Sequence, residues 1–314
     1  MDKKSRVLIV GGTGFIGKRI VKASLALGHP TYVLFRPEAL SYIDKVQMLI
    51  SFKQLGAKLL EASLDDHQGL VDVVKQVDVV ISAVSGGLVR HHILDQLKLV
   101  EAIKEAGNIK RFLPSEFGMD PDVVEDPLEP GNITFIDKRK VRRAIEAATI
   151  PYTYVSSNMF AGFFAGSLAQ LQDAPRMMPA RDKVLIYGDG NVKGVYVDED
   201  DAGIYIVKSI DDPRTLNKTV YIRPPMNILS QKEVVEIWER LSGLSLEKIY
   251  VSEDQLLNMK DKSYVEKMAR CHLYHFFIKG DLYNFEIGPN ATEGTKLYPE
   301  VKYTTMDSYM ERYL

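Results

Sequence analysis

A glycine-rich turn directly behind a short apolar run constrains this chain more than any other feature. Val7-Leu8-Ile9-Val10 reads as a buried strand, and Gly11-Gly12-Thr13-Gly14-Phe15-Ile16-Gly17 follows it without a spacer. An amphipathic stretch begins inside the turn, with Ile16, Ile20, Ala23, Ser24 and Leu27 on one helical face. Strand, glycine turn and helix in this order form the framework that holds a dinucleotide pyrophosphate. The glycines divide the work: a tight turn at Gly11 and Gly12, close approach to phosphate at Gly14, and close helix–strand packing at Gly17. Free N–H groups and the positive end of the helix dipole then face the phosphates, which makes Thr13, Phe15 and Ile16 site candidates too. The alternative is an ordinary strand–helix turn that merely needs glycine.

The next unit bears on which dinucleotide. Thr31 to Phe35 reads as a second strand, ending at Arg36 about twenty residues beyond the turn. Asp or Glu at that point accepts hydrogen bonds from a ribose 2′-hydroxyl, whereas an arginine suits a 2′-phosphate, which a guanidinium binds bidentately. Lys45, on a helix over Ile43 to Gln54, can reach the same phosphate, so the expected cofactor is NADPH; the alternative is that Arg36 is a solvated loop charge, and Glu38 two residues on speaks against a phosphate. Lys58 to Glu61 is a third strand, followed by Asp65 as a candidate adenine contact. Val77 to Ala83 is a fourth, apolar as a doubly covered strand must be. Ser82 near its end is a cofactor candidate, and Val84-Ser85-Gly86-Gly87 lies beside the ribose and nicotinamide. A helix from about His92 to Ala106 stops at Gly107.

This alternation predicts an α/β fold, a doubly wound parallel sheet of the Rossmann kind over residues 1–157. Residues 158–314 are expected to form mainly a smaller α/β substrate-binding domain, part of which returns to the sheet. Within it, Val184 to Val197 reads as a hairpin turned at Gly188-Asp189-Gly190-Asn191. Ser230 with Glu233 caps a helix to Leu241, and an amphipathic helix closes the chain near Met306 to Tyr313. Met119 to Asn132, rich in proline and acid and without periodicity, reads as a lid over the ligand crevice.

Composition narrows the function class. A net charge of −2 shows no basic excess for nucleic acid, and no apolar run is long enough to span a bilayer. Cys271 is the one cysteine of 314 residues, and the first residues run straight into the first strand, so a reducing cytoplasm is the expected setting. Sequons at Asn132, Asn217 and Asn290 are accordingly chance matches. The His91-His92 and His272/His275 pairs lack metal-ligand spacing.

For chemistry, the Y-x-x-x-K spacing of short-chain dehydrogenases occurs at Tyr298 and Lys302, with Pro299 inside it, and is read as chance. The helix from Phe135 to Ala148 instead carries Lys138 and Arg142 four apart on one face. Lys138, desolvated near a second cation at a helix start, is the candidate neutral base. A solvated basic helix face is the equal alternative. Phe160, Phe163 and Phe164, with Met119, suit an aryl pocket or plain core packing.

The chain resembles the plant isoflavone reductase-like group of NmrA-type atypical short-chain dehydrogenases, and within it the pinoresinol–lariciresinol reductase branch. The likeness is carried by Gly11 to Gly17, Phe35-Arg36-Pro37, Phe112 to Asp120, Asp137-Lys138, Ser157 to Gly162 and Leu297 to Tyr303. It implies an NADPH-dependent homodimeric reductase of a phenolic lignan, pinoresinol to lariciresinol and, in many such enzymes, onward to secoisolariciresinol, with one or two steps left open by the sequence. Lys138 then matches the group's catalytic lysine, Arg36 and Lys45 its 2′-phosphate contacts, and Arg142 a further cofactor contact. Asn158 falls in a matching segment and is taken as a cofactor residue. His272, with His275 as its rival, matches a substrate-contacting histidine. Met119 stands where leucoanthocyanidin reductases of the group carry histidine. The rival readings are a phenylcoumaran benzylic ether or isoflavone reductase, and a non-catalytic NADP-sensing regulator.

Overall fold

The computed structural model describes residues 4–86, 92–170 and 177–314; Gly87 and His91, singled out above, lie outside them. Through the first half run β1 (Val7–Val10), α1 (Gly17–Ala26), β2 (Thr31–Phe35), α2 (Ile43–Gln54), β3 (Lys58–Glu61), α3 (His67–Val74), β4 (Val79–Ser82), α4 (Gln96–Ala106), β5 (Arg111–Leu113) and α5 (Ile133–Ala147). Then come β6 (Thr153–Ser156), β7 (Met159–Phe160), α6 (Ala161–Phe164), β8 (Lys183–Tyr187), β9 (Lys193–Val197) and α7 (Glu199–Ser209). The chain continues with β10 (Lys218–Tyr221), β11 (Ile228–Ser230), α8 (Gln231–Ser242), β12 (Glu247–Val251), α9 (Glu253–Leu257) and α10 (Tyr264–Tyr274). β13 (Ala291–Glu293), α11 (Gly294–Leu297) and α12 (Met306–Met310) close it.

Side-chain alternation in the strands sets the layers. Val7, Ile9, Val33, Val79 and Ile81 enter one core with Ile20 and Val21 of α1 and Tyr205 and Ile206 of α7. Leu8, Val10, Leu34 and Val80 enter the opposite core with Leu70, Leu99 and Ile103 of α3 and α4 and Val141 of α5. Strands with both faces buried need helices on both sides, and the doubly wound sheet follows. Its order is β3-β2-β1-β4-β5, all parallel. A parallel bridge between Phe112 and Tyr152 leads to a second parallel set, β6-β10-β13. Thus α7, β10 and β13, from beyond residue 157, complete the layers begun by the first half.

Three local expectations are corrected. The hairpin over residues 184–197 does not form: β8 pairs in parallel with β12, while β9 pairs with β11 and β7. The free edge of β8 is taken by glutamine amides instead. Gln170 brackets both backbone groups of Leu185, and Gln231 accepts from the Tyr187 N–H at 2.9 Å. Secondly, residues 119–132 are a strap rather than a lid, because both sides of the cleft hold them. Arg139 of α5 donates to the carbonyls of Pro121 at 2.7 Å and Val124 at 2.6 Å. From the far side, the π-helical turn after α10 (His275–Lys279) receives the Leu128 N–H on His275 Nε2 at 3.3 Å and sends Lys279 to the Glu125 carbonyl at 2.7 Å. Thirdly, α5 begins at Ile133, so Lys138 sits in its second turn, beyond the range of the terminal dipole.

Candidate functional site

The glycine turn is built by exclusion of side chains. Gly11 has φ +83°, and a Cβ there would meet the Ala83 carbonyl oxygen at 2.5 Å. A Cβ on Gly17 would meet the Gly11 carbonyl oxygen at 2.0 Å, so α1 can start this close to β1 only as glycine. No acidic side chain and no side-chain cap occupies the first turn of α1, which leaves that helix end to an anion. Gly11, Thr13, Gly14, Phe15 and Ile16 line one cavity of about 1190 Å³. Gly12 and Gly17 do not line it; they pack behind it, Gly12 against Val33 and Val21.

At the β2 end of this cavity stand Arg36 and Lys45. Neither is in an ion pair among the described residues, and Lys45 Nζ lies 4.6 Å from the centre of the Tyr42 ring. Two uncommitted cations beyond a glycine cradle fit a dinucleotide carrying a 2′-phosphate. Asp65 does not reach this cavity: its carboxylate is exposed and held by Lys98 at 2.5 Å. Leu64 lines the wall there instead, with the His92–Asp95 pair (2.9 Å) further along. Ser82 is fully buried behind the wall, its hydroxyl without a partner among the described residues, so it is a core residue rather than a cofactor contact. Asn158 does line the cavity, in left-handed backbone (φ +55°), and its amide donates to the Ile222 carbonyl at 2.7 Å.

Lys138 reaches the same cavity from α5, and its Nζ donates to the Glu116 carbonyl oxygen at 2.7 Å. Burial pushes the amine well below its ordinary range; the Glu116 carboxylate opposes the shift and the Arg142 guanidinium reinforces it. Of the two causes expected from the sequence, desolvation is the larger and the neighbouring cation the smaller. Arg142 is not a cofactor contact. It is 2% exposed and lies outside the cavity wall, paired with Glu116 through Nε (3.0 Å) and Nη2 (2.9 Å). Its Nη1 meets Asp120 at 2.7 Å and Asp122 at 3.0 Å. Burial works against that charge, yet the carboxylates hold it above its ordinary value.

The apolar part of the cavity comes from Met119, Phe160, Phe163 and Phe164. Phe15 joins them, its ring centre 4.5 Å from that of Phe163 and 5.8 Å from that of Phe160. Of the two histidines, His272 is at the cavity and stacks on Phe135 at 5.6 Å. Burial pushes it down to about 4, so it is neutral; Nδ1–H donates to the Met268 carbonyl at 2.8 Å, which leaves Nε2 an acceptor. His275 is buried, bonded to Asp281 at 2.6 Å and to the strap, and plays no part in the wall. Tyr298 likewise lies in the core, donating to Asp212 at 3.0 Å.

Residues missed by sequence reasoning are mostly on α10. Val265 and Ala269 of α10 and Phe276 of the π-helical turn after it line the cavity beside His272, and the spacing of four, three and four is a stripe that could have been read. Thr134 and Phe135 precede Lys138 by one turn on the same wall. The whole arrangement places an amine of lowered proton affinity, an aromatic box and an anion cradle around one space. It can take a proton from a weak acid beside a bound dinucleotide. Among the described residues no group of three His, Cys, Asp or Glu could hold a metal ion.

Residues 3–310 match the NmrA-like family. The chain is 79% identical, over 100% of both chains, to bifunctional pinoresinol-lariciresinol reductase 1 of Thuja plicata. It is 59% identical over 99% of both to an isoflavone reductase homolog of Lupinus albus. Among solved structures, it superposes on one from a study of pinoresinol-lariciresinol and phenylcoumaran benzylic ether reductases with TM-score 0.96, at 79% identity over 100% of both chains. It also superposes on AtPrR2 with NADP+ and (+)-pinoresinol, TM-score 0.96 at 54% identity over 100% of both chains. A leucoanthocyanidin reductase–NADPH complex from Vitis vinifera gives TM-score 0.88 at 37% identity, covering 98% of this chain and 99% of that one.

Proposed function

The chain belongs to the NmrA-like family, and we propose that it is an NADPH-dependent pinoresinol–lariciresinol reductase of lignan biosynthesis. It reduces pinoresinol to lariciresinol and carries lariciresinol on to secoisolariciresinol. The observation that carries the reading is the Lys138 amine, buried on a neutral carbonyl inside the cavity that the glycine turn also lines. Full-length identity of 79% to a bifunctional reductase supports the substrate class.

Gly11, Thr13, Gly14, Phe15 and Ile16 hold the pyrophosphate, Arg36 and Lys45 the 2′-phosphate, and Asn158 the wall nearest the reacting end. When bound, NADPH supplies the hydride that ends on the benzylic carbon. Lys138, its proton affinity lowered by burial, takes the phenolic proton, and the electron pair released on oxygen pushes through the ring to break the benzylic C–O bond; the alkoxide so freed takes a proton from solvent, and the phenolate restored by hydride addition recovers its proton from Lys138. A base with lowered proton affinity suits a phenol. Met119, Phe160 and Phe163 clamp the aryl ring and exclude water from the electron-poor intermediate. His272, an acceptor through Nε2, receives a hydroxyl of the substrate.

The reading includes a cytoplasmic homodimer, supported by the single cysteine, which is buried and free, and by the family likeness. No helix among the described residues is long and apolar enough to cross a membrane. The test is NADPH consumption with racemic pinoresinol, with products resolved by chiral chromatography and mass measured by light scattering. Turnover of pinoresinol supports the reading. Tight NADPH binding with no turnover of pinoresinol, or turnover only of a phenylcoumaran or isoflavone, refutes it.

A further inference from the structure

Lys138 lies among charges that ought to claim it. From the segment after β5 the Glu116 and Asp120 carboxylates face the amine, from its own helix Arg142, and from α10 the neutral His272. Asp137, its chain neighbour, is paired with Lys140 at 3.1 Å. A buried lysine beside a free carboxylate keeps its proton, since an opposite charge stabilises the ammonium form. Here neither carboxylate is free. Both oxygens of Glu116 are engaged by Arg142, at 3.0 and 2.9 Å. Asp120 gives one oxygen to Arg142 at 2.7 Å and the other to the Tyr221 hydroxyl at 2.5 Å. What remains for Lys138 is the Glu116 backbone carbonyl, which accepts from an amine or an ammonium alike.

We propose that Arg142 is a positioning residue of this reaction: by holding the Glu116 and Asp120 carboxylates it leaves Lys138 only a neutral acceptor, and so keeps that amine free to take a proton from substrate. The same clamp fixes residue 116, whose carbonyl aims the amine into the cavity. This rests on Lys138 being the base. It also accounts for a guanidinium rather than an ammonium at position 142, because two parallel N–H bonds to one carboxylate and a third to another need the planar fork.

The test is the pH profile of kcat/KM with NADPH and pinoresinol in four proteins: the parent, Arg142→Met, Glu116→Gln, and the double variant. Arg142→Met should move the rising limb toward alkali by roughly one pH unit or more, a tenfold or greater loss below it. Glu116→Gln, which leaves Arg142 its two aspartates, should move the limb toward acid. The double variant should bring it back toward the parent. Should Arg142→Met fail to fold, the acidward shift of Glu116→Gln decides the matter. Acetylation of Lys138 by acetic anhydride across pH, read by peptide mass spectrometry without substrate, should follow the same order. That second readout separates this inference from the assigned substrate. Limbs and acetylation midpoints that stay put, with activity falling by one factor at every pH, would overturn it.

Discussion

Replacing Lys138 with methionine isolates the proton-transfer step from the fold. The unbranched thioether fills nearly the volume of the lysine stem, so no large void opens where the chain packs between Thr134 and Arg142. The loss is the 2.7 Å bond to the Glu116 carbonyl; a buried acceptor left without its donor costs about 1–3 kcal/mol. Offsetting that, the folded protein no longer buries an amine, whose desolvation is the largest influence on its proton affinity. Net stability should therefore change by about 1–2 kcal/mol at most, a melting shift of roughly 5 °C or less for a chain this long. Turnover should fall by about 10²–10⁴-fold, which is ~3–5 kcal/mol of barrier. NADPH affinity should stay within about threefold, because the phosphate contacts are proposed for the glycine turn, Arg36 and Lys45 and not for this amine. Stopped-flow decay of NADPH absorbance with racemic pinoresinol gives the first quantity, and quenching of protein fluorescence by NADPH the second. In the parent, kcat/KM should rise with pH through an apparent value below that of an ordinary lysine, and the variant should lose that limb. Parental turnover in Lys138→Met would refute the assignment of the base.

Arg36→Ala should weaken NADPH by about 10–100-fold while leaving NADH nearly unchanged, the loss of a charge-assisted contact to phosphate; equal weakening of both in a binding titration would remove the 2′-phosphate role. Gly17→Ala puts a Cβ 2.0 Å from the Gly11 carbonyl where about 3.4 Å is ordinary contact. The start of α1 must then retreat by about 1.4 Å, and NADPH affinity should drop about 10²-fold, visible as loss of thermal stabilisation by the cofactor. Asp201 is buried where it accepts the Thr304 N–H at 2.6 Å, and burial pushes its carboxyl up from 3.8 to about 6. The native state thus binds more protons than the unfolded one between those values, and this group withdraws stability as pH rises through them. Asp201→Asn, keeping an acceptor for Thr304, should be more stable than the parent by ~2–3 kcal/mol at pH 7.5 and equal near pH 4; a difference independent of pH in urea unfolding would contradict this.

Much of the dinucleotide half is legible in the chain because its determinants are local. Strand β2 ends at Phe35, α2 spans Ile43–Gln54 and Gly107 stops α4, all as read from periodicity and stop signals. The capping box at Ser230 and Glu233 is equally local. What escaped the reading is decided by partners distant in sequence. β8 and β9 look like a hairpin until Gln170 and Gln231 claim the edge they would share. Asp65 looks available until Lys98, on α4, takes it. Arg142 shares a face with Lys138 as the spacing said, but Glu116 and, from the strap, Asp120 and Asp122 hold it away from the cavity. His272 and His275 are three apart, so a small phase difference sends one to the cavity and the other to Asp281.

The strap over residues 119–132 has a mechanical consequence. It is sewn to α5 through Arg139 and Arg142 and to the turn after α10 through His275 and Lys279. The helix bearing the amine and the helix bearing His272 are thereby guyed to one rope. Parting them along that line means cutting several bonds together, whereas Tyr42 and Val265, which also line the cavity, are exposed. Any substitution that slackens the rope should loosen ring selection and proton transfer in the same stroke.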